Sequence, residues 1–106
     1  MNTETVLYLS RKDVEQVGLT MSEVIVALDA MFREKGEGRV EMPPKPGIHT
    51  RKDAFIHAMP AFIPSLGAAG MKWISGYPAN QSKGLPYING LLILNDPDTG
   101  LPTAVM

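Results

Sequence analysis

Gly70 to Met106 reads GMKWISGYPANQSKGLPYINGLLILNDPDTGLPTAVM, and this stretch decides the fold. Lys72 is the one charge in an otherwise apolar run from Ala68 to Ser75, the composition of a covered strand. On a strand, Gly70, Lys72, Ile74 and Gly76 share one face, and Met71, Trp73 and Ser75 share the other. Asn89 to Asn95 (NGLLILN) reads as a second strand. Asp96-Pro97-Asp98-Thr99-Gly100 is turn chemistry, and Leu101 to Met106 begins a third strand. Ser75 to Pro86 has loop composition. The third strand is expected to continue past Met106, so the chain is expected to be one lobe of a two-lobe enzyme. Lys72 would then face the cleft that the other lobe closes.

Upstream, the chain changes character. Thr5 to Leu9 (TVLYL) is a short strand. Ser10 and Asp13 predict a helix N-terminus, and Gly18 a stop after Val17. Thr20 and Glu23 form a T-x-x-E capping box for a longer helix that ends at Gly36. Val24, Ile25, Leu28, Met31 and Phe32 make its apolar stripe, which must pack on something, the later strands being the natural partner. Asp29 and Arg33 can pair on the outer face, worth about 0.3 kcal/mol. Pro43-Pro44 forces an extended connector. Gly47 to Thr50 and Ala54 to Met59 read as strands around a turn at Arg51-Lys52-Asp53, and Pro60 to Gly67 as a loop. Helices first and strands after predict α+β: two N-terminal helices packed on a mostly antiparallel sheet.

Composition narrows the function classes. The chain of 106 residues is one small domain, 44% hydrophobic and 20% charged, which argues against disorder. A net charge of −1 gives no basic excess for nucleic acid or anionic lipid. With no cysteine, disulfides and thiolate chemistry are excluded. The polar start, Met1 to Thr5, does not resemble a signal peptide, and no apolar run approaches spanning length, so a cytoplasmic protein is expected. Two histidines without a paired acidic ligand predict no metal site.

Three positions could carry chemistry. Lys72 is either a snorkelling edge lysine or an ammonium aimed into a cleft, and its flanking glycines favour the second reading by allowing a ligand close to the backbone. His57, in Phe55-Ile56-His57-Ala58-Met59, is either a satisfied core histidine or a pocket wall. Lys45, between Pro44 and Pro46, is presented in a repeatable direction. It is either a solvated lysine or a second anion contact. Gly36-Glu37-Gly38 only superficially resembles a dinucleotide fingerprint, because it follows a helix and lacks a third glycine on spacing.

The run Gly70-Met71-Lys72-Trp73-Ile74-Ser75-Gly76-Tyr77-Pro78-Ala79-Asn80, then Gly84-Leu85-Pro86, then Gly90 to Gly100, resembles the ornithine cyclodeaminase/mu-crystallin family. Phe55 to Pro60 fits the family's preceding strand. The resemblance implies a two-domain NAD(P)-dependent oxidoreductase of which this chain, residues 1–106, is the substrate-binding and dimerisation lobe, lacking its Rossmann partner. It implies amino-acid cyclodeamination (a lyase-type loss of ammonia), dehydrogenation or ketimine reduction, with NAD or NADP bound mainly by the other domain. Lys72 matches the family lysine that contacts the substrate carboxylate or assists proton transfer. Lys45 falls at or near an arginine that clamps that carboxylate, and a point charge there replaces a bidentate fork. His57 and Met59 join the expected substrate-binding set, and a histidine at 57, where an acid is usual, argues against ornithine itself. A homodimer acting on a small carboxylate-bearing substrate is expected. Alternatives are a non-catalytic, crystallin-like ligand binder and a pure dimerisation module.

Overall fold

A computed structural model describes residues 5–106. Met1 to Glu4, most of the polar start, lie outside the described residues. The chain order is β1 (Leu7–Tyr8), α1 (Arg11–Val17), α2 (Met21–Gly36), β2 (Gly47–Ile48), β3 (Phe55–Ile63), β4 (Ala68–Gly76), β5 (Ile88–Asn95) and β6 (Pro102–Val105). Short 3-10 turns cover Pro64–Leu66 and Pro78–Lys83. The strands form one sheet in the order β1-β6-β5-β4-β3-β2. Every neighbouring pair is antiparallel except β1 with β6. The α+β class with a mostly antiparallel sheet therefore holds.

Local chemistry sets the helix ends. Ser10 and Asp13 close a reciprocal box: the Asp13 N–H donates to the Ser10 hydroxyl at 3.1 Å, and the Ser10 N–H donates to the Asp13 carboxylate at 2.8 Å. Gly18 ends α1 in the left-handed conformation, φ 71°. At α2 the box is only half made. The Glu23 N–H donates to Thr20 Oγ1 at 3.2 Å, but the Glu23 carboxylate takes the Thr20 hydroxyl rather than the cap N–H. Asp29 and Arg33 pair at 2.9 Å, as the spacing predicts.

Two expectations are corrected. Pro60 does not end β3, which runs on to Ile63. The Ala58 N–H donates to Pro46 O at 3.1 Å and the Phe62 N–H to Glu41 O at 2.8 Å. The N–H groups of alternate residues thus point toward the β2 edge, and Pro60 falls between those two bonds, beyond the end of β2. Its missing N–H removes nothing from the β3–β4 ladder. The glycines around Lys72 do not clear room for a ligand either. A Cβ on Gly70 would lie 2.2 Å from Ile93 O, and one on Gly76 would lie 2.4 Å from the Phe55 ring. Their bareness admits the protein's own backbone and side chains.

Little of the apolar surface is covered. Among the described residues the buried hydrophobic side chains are Ala54 and Ala104. Along α2, Val24, Ala30 and Met31 are half-buried, whereas Ile25, Leu28 and Phe32 stay exposed, Phe32 at 61%. The accessible area is 8112 Å², where a folded monomer of this mass exposes about 5,800 Å². The radius of gyration is 16.0 Å, against about 13 Å for a self-contained domain of this length. The fold is an open half-shell.

Candidate functional site

Lys72 lies in mid-β4, opposite Met59 of β3 on one side and Leu92 of β5 on the other. The pairing puts Phe55, His57, Met59 and Ala61 on the same sheet face as Lys72. The extended Met42 to Pro46 connector crosses beside this face. Its path is held where Pro46 O accepts the Ala58 N–H, which anchors the segment carrying Lys45. From the far side comes the last turn of α2, bearing Lys35. The Lys35 ammonium donates to Met42 Sδ at 3.6 Å.

These elements enclose a cleft of about 380 Å³. Its cations are Lys35, Lys45 and Lys72, and its walls are Met42, Pro43, Met59, Pro60 and Ala61. No carboxylate lines it, and none of the three lysines has an ion-pair partner among the described residues. Three exposed ammoniums over an apolar floor could hold a small anion whose carbon skeleton rests on methionine and proline. Lys72, Lys45 and Met59 thus meet in one hollow.

His57 does not line this cleft. Its ring stacks on Phe55 with centroids 4.3 Å apart, and it covers Gly47, where a Cβ would lie 2.3 Å from the imidazole. It packs β3 against Gly47 at the start of β2, and Gly47 lies two residues after Lys45. His49 is exposed and has its Nδ1 2.8 Å from Ala54 O.

The α2 end that carries Lys35 is clasped from behind. The Arg39 guanidinium pairs with the Glu34 carboxylate and also reaches Glu37 at 3.3 Å. The Arg39 hydrogen bond, and after it one from Ser65, holds the Glu34 carboxyl below its ordinary range, and the same bond to Glu34 raises Arg39. The clasp engages the acid next to Lys35 in sequence, and no carboxylate lines the cleft.

A larger hollow, about 840 Å³, lies between the β2–β3 turn and the 3-10 turn after β4. Arg51, Lys52 and Lys83 are there offset by Asp53, and its walls are surface turns. It contains none of the candidate site residues Lys45, His57, Met59 and Lys72. The smaller cleft is the candidate because its floor is sheet and its charge is of one sign.

Sequence reasoning missed Lys35 and Met42. A lysine in the last turn of a helix is ordinary company for the helix dipole, and nothing in the sequence says which strand that turn reaches. The only signal was the proximity of Lys35 to the Pro43-Pro44 connector.

No described feature suits a dinucleotide. Gly36-Glu37-Gly38 sits at the carbonyl end of α2, where the helix dipole repels phosphate.

The chain is 54% identical over 101 residues to the nodulation efficiency protein NfeD of Rhizobium meliloti, a match covering 95% of this chain and 32% of that protein. Among solved structures it superimposes on the Thermococcus litoralis Δ1-pyrroline-2-carboxylate reductase in complex with NADH and L-proline, with TM-score 0.89 and 39% identity, covering 94% of this chain and 31% of that one. It also matches an archaeal alanine dehydrogenase dimer with bound NAD, with TM-score 0.83 and 39% identity, covering 95% of this chain and 30% of that one. The chain spans about a third of the length of these relatives. The ornithine cyclodeaminase/mu-crystallin family model matches residues 4–106. With that match over nearly the whole chain, and a half-shell sheet that superimposes on these reductases and dehydrogenases, the protein belongs to the ornithine cyclodeaminase/mu-crystallin family.

Proposed function

We propose that residues 1–106 form the substrate-binding and dimerisation lobe of a nicotinamide-dependent oxidoreductase acting on a small amino acid or cyclic imine. The single observation that carries this is the cleft in which Lys45 and Lys72 face an apolar floor with no acid present. Lys72 and Lys45 hold the substrate carboxylate as two point charges. Met59, fixed opposite Lys72 by the strand pairing, supports the carbon bearing the nitrogen. Lys72 also stands where it can hold the proton exchanged by that nitrogen. His57 acts indirectly, by packing the strand that leads from Lys45.

The dinucleotide fits no described feature of this chain, so its binding is assigned to a second lobe. When bound there, the nicotinamide supplies or accepts the hydride. What this lobe contributes is orientation, charge and exclusion of water. Two structural likenesses support the reading: one neighbour is in complex with NADH and L-proline, the other is a dimer with bound NAD.

The test uses the whole gene product with NAD or NADP and a panel of small amino acids, following the absorbance of the reduced cofactor. Turnover is expected. Lys72→Ala should lower kcat/KM by about 10- to 100-fold, the worth of a charge-assisted hydrogen bond to a carboxylate. Full activity in that variant would remove Lys72 from the mechanism.

A further inference from the structure

The cleft holds one more ammonium than a single carboxylate requires. Lys45 and Lys72 suffice for one carboxylate, as argued under the proposed function, on which this inference rests. Lys35 enters from a different element, the last turn of α2, and lines the same hollow. Its only hydrogen-bond acceptor among the described residues is the Met42 thioether, at 3.6 Å. Thioether sulfur is a weak acceptor, so this exposed ammonium has no partner of opposite charge among the described residues. The neighbouring acid, Glu34, is taken by Arg39.

We infer that Lys35 receives a second carboxylate, so that the preferred substrate is a dicarboxylic amino or imino acid. One carboxylate would sit between Lys45 and Lys72 and the distal one on Lys35, with the short carbon chain between them lying on Met42 and Met59. An amino or imino dicarboxylate carries one more negative charge than its monocarboxylate counterpart, and Lys35 is the ammonium of the cleft left to meet it. The discrimination is therefore attractive, through Lys35. Lys35 acts here in specificity, not in the chemical step.

The experiment compares L-aspartate and L-glutamate with L-alanine as substrates of the whole gene product. Titration calorimetry compares succinate with propionate in parallel. The wild type should favour the dicarboxylates in kcat/KM and bind succinate more tightly than propionate. Lys35→Met should lower both preferences about 10-fold or more, chiefly through KM, and Lys35→Arg should restore most of them. The inference is overturned if succinate binds no better than propionate, or if Lys35→Met leaves both preferences as they were. It is also overturned if that variant raises the KM for the dinucleotide while the preferences hold, since Lys35 would then serve phosphate. Succinate binding that depends on Lys35, with no amino acid turned over, would uphold the second carboxylate site and refute the oxidoreductase reading instead.

Discussion

At Gly70 the ideal Cβ position is already filled by a neighbouring carbonyl oxygen, Ile93 O, at 2.2 Å. The contact is with backbone, so no rotamer change relieves it. β5 shifts register against β6 one residue further on, between Leu94 and Asn95, so the strand path here is individual. Gly70→Ala is expected to destabilise the fold by about 1–3 kcal/mol, the usual cost of overpacking, readable as a lower denaturation midpoint. A variant as stable as the wild type would mean that the strands separate freely at this point. The identity of Gly70, two residues before Lys72, was plain in the sequence, but its purpose was not. Glycine beside a lysine on one strand face reads equally as room for a ligand or room for the next strand, and only the position of Ile93 separates the two.

Among the elements, α2 is the best example of what local chemistry can and cannot say. Its cap, its Asp29–Arg33 pair and its stop all follow from residues within a turn of one another, and all were legible. The clasp that holds its end was not, because Arg39 must fold back over Gly38, φ 73°, to reach Glu34. That clasp titrates. Glu34 has its folded value lowered from 4.5, with Arg39 as the principal cause. A depressed carboxyl contributes stability that is complete above its unfolded value and is lost as pH falls through the lower folded one. The stability gap between wild type and Glu34→Gln should thus be constant from neutral pH down to 4.5 and close below it. Urea denaturation across this range measures it. A gap that widens in acid would show that the pair opposes folding. β3 teaches the complementary lesson: Pro60 looks like a strand end in one dimension, yet it is harmless where the adjacent edge carries no partner.

For the whole molecule the governing quantity is uncovered apolar area. The excess over a self-contained monomer is about 2,300 Å², larger than one side of an ordinary protein interface at about 800 Å². An excess of that size is enough for more than one interface of ordinary size. The sheet face opposite Lys72 presents Trp73 at 40% exposure and Leu91 at 50%, with Ile93 beside them. Under the proposed function this face would be the dimer contact, and the Lys72 face would be left for substrate and the second lobe. Trp73→Asp in the whole gene product is expected to shift sedimentation from dimer to monomer, because a buried unpaired carboxylate is costly at an interface. A dimer that survives this change would place the contact elsewhere.

The sequence by itself determined the α+β class, the helix caps, the β4 and β5 strands and the family, and with the resemblance it singled out Lys45, Met59 and Lys72 as expected site residues. Each of these rests on spacing within one element or on a motif that does not depend on distant partners. Only the tertiary structure decided that Lys35 joins those residues, that His57 packs against Phe55 and Gly47 instead of facing the cleft, and that β1 pairs in parallel with β6. Those outcomes depend on which elements meet across the fold. Hydrophobic burial drives such meetings without naming partners, so the register that selects them emerges only once the whole sheet has assembled.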